Sequence, residues 1–275
     1  MTAPVATPDL EAIKVKQQQT WASGDYHAVA ATIPIISEVL CDAADLRAGS
    51  RVLDVAGGSG NTALAAARCA ADVVSLDYVP SLLERSQARS RSEGLSYETV
   101  EGDAEAMPFA DASFDAVVSA VGVMFAPDHQ RAASELLRVC RPGGTIALAN
   151  WAPDSFIGEL FRTTAQHVPP PAGLQPPGLW GTEDHVRTLF GDGVSDLRAE
   201  RRTYTFRYRS PEHFVDFFRT WYGPTHKAFA ALDEGGREAL AADLAALVAR
   251  SDRLAGENAV AVPADYLEIV ATRAR

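Results

Sequence analysis

Three carboxylates and three glycines stand out by type and spacing. In VLDVAGGSGNTALAAA (residues 52–67), Asp54 precedes Gly57, Gly58 and Gly60, and an alanine-rich helical stretch follows. Glycines at such a turn let backbone approach a ligand closely. A helix that starts there offers unpaired N–H groups. Asp77 ends a second apolar run and Asp103 follows a third. A carboxylate after the second strand can accept both hydroxyls of a ribose, in charge-assisted bonds of about 1.5–3 kcal/mol each. Asp54, two residues before the turn, would repel a pyrophosphate and attract an ammonium or sulfonium. Gly58–Ala63 also fits the looser dinucleotide pattern G-x-G-x-x-A, but no Tyr-x-x-x-Lys follows anywhere in the chain.

These residues need a scaffold, and the patterning supplies one. Residues 1–50 read as helical, punctuated at Gly24, Pro34 and Gly49. Apolar runs at 52–55, 73–76, 96–100, 114–120 and 145–150 read as strands. Between them lie helices at 62–70, 81–91 and 129–140, the second opened by a Ser81/Glu84 capping box and stopped at Gly94, and the third followed by a break at Arg141–Gly144. Beyond Asn150 come a helix at 155–166, a proline-rich loop, a short helix capped by Thr182, a strand at 200–208, helices from Ser210 and through Leu240–Val248, and a last strand at 266–271. Such alternation implies an α/β protein with a doubly wound, mainly parallel, Rossmann-like seven-stranded sheet. The expected units are a helical cover over 1–50, a core over 51–209, a helical lid over 210–262 inserted before the last strand, and that strand within 263–275. The acidic residues then gather at the carboxyl ends of the strands, where open sheets bind ligands.

The totals narrow the function. The chain has 275 residues, 47% hydrophobic, with a net charge of −11, which argues against a nucleic-acid partner. No run of eighteen apolar residues is present, so no membrane span is expected, and the first residues lack the basic and apolar regions of a signal peptide. Cys41, Cys69 and Cys140 lie far apart and read as small packing residues of a cytoplasmic protein. No metal-ligand spacing, phosphate-binding Gly-Lys loop or G-x-S-x-G elbow occurs.

Residues 51–151 resemble class I S-adenosylmethionine-dependent methyltransferases, closest to the ubiquinone/menaquinone-type and natural-product groups. VLDVAGGSG is similar to their glycine motif, with Ala56 where the first glycine is usual. GDAEAMPFADASFDAVVS and ELLRVCRPGGTIALANW are similar to two further blocks. The resemblance implies S-adenosylmethionine as cofactor and S-adenosylhomocysteine as product. It assigns Gly57, Gly58 and Gly60 to the methionine part and ribose, Asp54 to the methionine amino group and Asp77 to the ribose hydroxyls. Tyr78 would lie against adenine, with Asp103 accepting from its amino group and the Ala104 N–H reaching a ring nitrogen. Val121 would offer a carbonyl to the ammonium. TWASGDYH (residues 20–27) resembles a cover, placing Trp21 and Tyr26 at the methionine end.

Methyl transfer to a small, hydrophobic or aromatic acceptor is thus expected, with Phe125, Trp151, Phe218, Trp221 and Tyr222 as pocket candidates. Because the donor is already activated, positioning is the main catalytic device. His226 and His27 are the candidate bases. Two alternatives are a protein of this fold that binds S-adenosylmethionine but catalyses, for example, a cyclisation, and a nicotinamide oxidoreductase, disfavoured by Asp54 and the missing Tyr-Lys pair. The oligomeric state stays open, a homodimer included.

Overall fold

A computed structural model describes residues 8–254 and 259–275. Helices α1 (Leu10–Trp21), α2 (Tyr26–Ala30) and α3 (Pro34–Ala43) lead into β1 (Arg51–Val55), α4 (Asn61–Arg68), β2 (Asp72–Asp77), α5 (Pro80–Ser92), β3 (Glu98–Glu101) and β4 (Phe114–Ala120). There follow α6 (His129–Val139), β5 (Cys140–Trp151), α7 (Phe156–His167), α8 (Glu183–Phe190) and β6 (Val194–Tyr208). Three helices, α9 (Pro211–Trp221), α10 (Gly223–Ala231) and α11 (Glu234–Ser251), separate β6 from β7 (Val260–Arg273). The seven strands form one sheet in the order β3-β2-β1-β4-β5-β7-β6. All neighbouring pairs from β3 to β5 are parallel, and β7 runs antiparallel to both β5 and β6.

The central strands are continuous apolar runs because helices cover both faces of the sheet. Val52, Leu53, Val55, Val117 and Val118 are fully buried. On α6 the four- and three-residue steps put Ala132, Ala133, Leu136 and Val139 inside, and the Asp128 carboxylate caps the helix by accepting from the Arg131 N–H. In α11 the inward residues are those the spacing predicts: Leu240, Leu244, Leu247 and Val248.

Several local expectations change. Helix α5 starts one residue early, at Pro80, and no Ser81/Glu84 capping box forms. Proline suits that first position, and the Asp77 carboxylate already accepts the Val79 N–H. Thr182 precedes α8 as expected, but its hydroxyl donates to the Leu179 carbonyl instead of capping the helix. Arg141–Gly144 does not separate a helix from a strand; it is an irregularity within β5, where Cys140 pairs with Phe114 and Thr145 with Ala116. Strands β6 and β7 are long, 15 and 14 residues, and pair along almost their whole length. The charges that hid this in the sequence are partnered across it, as Arg202 with Glu268 and Arg201 with Asp265. Strand β7 therefore claims residues 260–262 from the expected lid. Among the described residues, no helix is long and apolar enough to cross a membrane.

The helical insertion is fixed to the sheet by aromatic packing. Phe214 of α9 is fully buried, stacks on Phe218 at 4.2 Å, and meets Phe156 of α7 at 5.4 Å and Tyr208 of β6 at 5.1 Å. Phe214→Ala is expected to lower unfolding free energy by about 3–5 kcal/mol, read by urea denaturation. A loss under about 1 kcal/mol would mean that this cluster does not anchor the insertion.

Candidate active site

Strand order reverses between β1 and β4, and the loops leaving their carboxyl ends diverge there to open a cleft. The turn after β1 forms one wall. Ala56, Gly58 and Gly60 all have positive φ, +53°, +53° and +90°. Ala56 therefore adopts a left-handed conformation that a glycine would take freely, at about 1 kcal/mol of strain. Gly57 is required for a different reason: a Cβ there would collide with Asp54 and Ser75. Opposite, Val121, just past β4, has φ +54°, an unusual conformation for a β-branched residue, held by its N–H donating to the Ala149 carbonyl at 2.7 Å. Ser119 joins the two strand ends, donating to the Val55 carbonyl at 2.7 Å and accepting from the Val123 N–H.

The three carboxylates occupy different depths. Asp54 is fully buried behind the glycine turn and does not reach the cleft wall. Its Oδ1 has no hydrogen-bond partner among the described residues, and burial, with Asp77 nearby, pushes its carboxyl up to about 8. Asp77 lies on the wall. Its two oxygens accept the Gly58 and Val79 N–H groups, each at 2.9 Å, while burial pushes it up to about 6. Asp103 also lines the cleft. Its Oδ1 accepts the Glu105 N–H at 2.9 Å, and its Oδ2 is 2.9 Å from the Lys14 ammonium. Tyr78 and Ala104 line the same region.

The cleft has a volume of about 200 Å³ and adjoins an apolar compartment of about 20 Å³. Tyr26, Ile33, Val121 and Phe125 border both, so they mark the junction. Trp151, Phe218 and Tyr222 line the compartment, as Phe125 does. Trp221 does not: it is 39% exposed and faces away. Four-residue steps along α9 turn Phe214, Phe218 and Tyr222 inward, and Trp221 falls one position off that stripe. Trp21 lines the cleft and packs on Tyr26, Phe125 and Tyr222 at 5.3, 4.8 and 5.7 Å.

Neither expected base stands at the junction. His226 is exposed on α10 and its Nδ1 donates to the Arg219 carbonyl. His27 is half-buried, with Nδ1 3.4 Å from Ser59 Oγ; burial, then Arg89 and Arg85, lower its proton affinity. Both lie outside the lining of the cleft and compartment.

Other residues carry the site without having been expected to. Lys14 and Gln18 hold α1 over the cleft, Lys14 on Asp103 and Glu105, Gln18 by donating to the Tyr78 carbonyl. Arg89 donates to the Ser59 carbonyl and Asn61 Oδ1, and Asn61 donates to the Ala30 carbonyl at 2.7 Å. That chain ties the cover to the glycine turn. Lys14 is one of three lysines in the sequence, the one signal that could have flagged it. Among the described residues, no group of three or more His, Cys, Asp or Glu side chains could hold a metal.

The chain is similar to known proteins in sequence and in fold. Residues 53–148 match the family model for a methyltransferase domain. An uncharacterised protein of Mycobacterium tuberculosis (strain H37Rv) is 43% identical over 247 residues, 89% of this chain and 89% of that protein. The demethylmenaquinone methyltransferase of Deinococcus radiodurans is 38% identical over 140 residues, which is 50% of this chain and 58% of that enzyme. In fold, the chain is similar to phosphoethanolamine N-methyltransferase 2 of Haemonchus contortus, solved in complex with S-adenosyl-L-methionine: TM-score 0.56, 16% identity, covering 87% of this chain and 52% of that one. The chain belongs to the family of S-adenosylmethionine-dependent methyltransferases.

Proposed function

We propose that the cleft binds S-adenosylmethionine and that its methyl group passes to a small apolar or aromatic acceptor that enters where the cleft meets the adjoining compartment. The observation that carries this reading is the placement of Asp77 and Asp103 on one cleft wall, at the ends of adjacent strands and beside a turn whose backbone is bare of side chains. The residues fit the donor. Asp77 keeps lone pairs for two ribose hydroxyls, and Asp103 for the adenine amino group. Tyr78 and Ala104 flank the adenine position, and the Val121 carbonyl serves the ammonium. Asp54, set behind Gly57 and pushed up to about 8 by burial, carries charge near neutral pH only where the donor's ammonium and sulfonium favour its ionised form. When bound, the donor supplies an electrophilic methyl on a sulfonium.

What the protein contributes is alignment and exclusion of water. Trp21, Tyr26 and Phe125 close the junction, so donor and acceptor meet in a dry, oriented encounter, an effect that can supply about 7–11 kcal/mol. A base is needed only for a nucleophile of high pKa, and the lining of the compartment holds no imidazole or carboxylate.

Asp77→Ala is expected to weaken S-adenosylmethionine binding by about 2–4 kcal/mol in calorimetry. It should also lower thermal stability, because the Gly58 and Val79 N–H groups lose their acceptor. Asp103→Asn should cost less than Asp103→Ala. Parental affinity in both Asp77→Ala and Asp103→Ala would contradict the placement. A mass gain of one methyl on the acceptor separates methyl transfer from a reaction, such as a cyclisation, that leaves the donor intact.

The donor affinity should also depend on pH. Hydroxyls that donate to Asp77 favour its ionised form, so binding lowers its proton affinity. Since Asp77 sits up near about 6 in the free protein, its part of the affinity should be complete above that and fall by up to about tenfold per unit as pH drops below it. Calorimetry of Asp77→Asn should show no such fall; an equal slope in that variant would assign the proton elsewhere.

A further inference from the structure

Lys14 reaches from α1 into a socket beyond the end of β3. Its ammonium lies 2.9 Å from Asp103 Oδ2, 3.3 Å from Glu105 Oε2 and 2.6 Å from Glu11 Oε1 on its own helix. Two of these partners are themselves fixed. Glu105 is buried, its Oε1 accepts the Asp128 N–H at 2.7 Å, and its carbonyl accepts from the Arg131 guanidinium at 2.8 Å. The Asp103 carbonyl accepts the Ala106 N–H at 3.0 Å, and its Oδ1 accepts the Glu105 N–H at 2.9 Å. Burial lowers the proton affinity of Lys14, but the bonds to Glu11 and Asp103 outweigh it and raise that affinity, so the side chain stays charged.

Lys14 and Gln18, four residues apart, lie on one face of α1, and both line the cleft with Tyr78, Asp103 and Ala104. Gln18 attaches the helix through the Tyr78 carbonyl. Of the two, Lys14 alone bonds to a side chain of the cleft wall. A carboxylate held by one hydrogen bond can turn about it. Held at both oxygens, it has one orientation, and its two bonds leave about two of its roughly four lone-pair sites open. A donor group on a ligand gains from that fixed orientation. An acceptor group meets repulsion that the carboxylate cannot turn away from.

Resting on the proposed donor site, we infer that Lys14 is a positioning residue for the base of the donor: by pinning the Asp103 carboxylate, it makes the cleft accept a 6-amino purine and reject a 6-oxo purine. The amino group donates to Asp103, whereas an oxo group sets its oxygen against the same carboxylate. Lys14 can donate to that oxygen only by leaving Asp103 and Glu105, which strips the buried Glu105 Oε2 of a charged partner. Without Lys14, Asp103 is free to turn aside. The oxo base then loses its penalty while the amino base loses part of its bond.

The probes are S-adenosylhomocysteine and its 6-oxo counterpart, S-inosylhomocysteine, which differ only in the base, each titrated into the full chain by calorimetry. Calorimetry of the parent with S-adenosylmethionine and S-adenosylhomocysteine comes first, and absence of binding by both overturns the proposed donor site itself. With binding established, the parent should prefer the amino ligand by about 100-fold, and Lys14→Met should lower that preference about 10-fold. Lys14→Gln, a milder change, should lower it in the same direction. Gln18→Leu loosens the same helix without touching Asp103, so it should keep the parental preference whatever affinity it loses. A role in helix docking alone would weaken both ligands alike in the Lys14 variants and leave their ratio intact. Tighter S-adenosylhomocysteine binding by Lys14→Met would mean that the ammonium competes with the base for Asp103. Either of these results, a raised preference in the Lys14 variants, an equal loss of preference in Gln18→Leu, or no preference in the parent overturns the assignment of Lys14 and leaves donor binding standing.

Discussion

The Asp77 carboxylate is the tie on which the site depends. One oxygen accepts the Gly58 N–H from the turn after β1, and the other accepts the Val79 N–H at the start of α5. Two turns from neighbouring strands are thereby fixed to one anion. The group is buried, so losing either bond leaves a polar group without a partner, at about 1–3 kcal/mol. Burial also raises its proton affinity while the two N–H groups oppose that rise. A carboxylate balanced in this way gains from further donors, and ribose hydroxyls are donors of the right kind. The same carboxylate therefore organises the backbone and lines the cleft.

Around that tie, the cover is held by polar links and the insertion by apolar ones. Helix α1 buries only Ile13 and is fastened through Lys14 and Gln18 to the ends of the second and third strands. Helix α9 instead buries Phe214, Val215 and Phe218 against the long β6–β7 ribbon. The weaker attachment lies over the cleft and the stronger one over the apolar compartment.

Much of this was legible in the residues. The alternation of apolar runs and helices fixed the strand order's class, and the glycine turn with Asp77 and Asp103 located the cleft, because strand ends and tight turns carry strong local signals. The aromatic stripe of α9 turns Phe218 and Tyr222 toward the apolar compartment, while Trp221, adjacent in sequence, falls on the outer face. His226 and His27 could not be judged from the chain, since whether a histidine reaches a site depends on contacts distant in sequence: His226 turns to Arg219 and His27 to Ser59. The reach of α1 to Asp103 spans 89 residues and leaves no periodic trace. The extent of β6 was masked by its charges, of which Arg201 and Arg202 find Asp265 and Glu268 on β7.

The most direct measurement is a crystal structure with S-adenosylhomocysteine bound. The ribose hydroxyls are expected on Asp77, the adenine amino group on Asp103 and the sulfur at the junction bordered by Tyr26, Val121 and Phe125. Density for the ligand elsewhere, or a ribose that makes no contact with Asp77, would contradict the assignment of the cleft as the donor site.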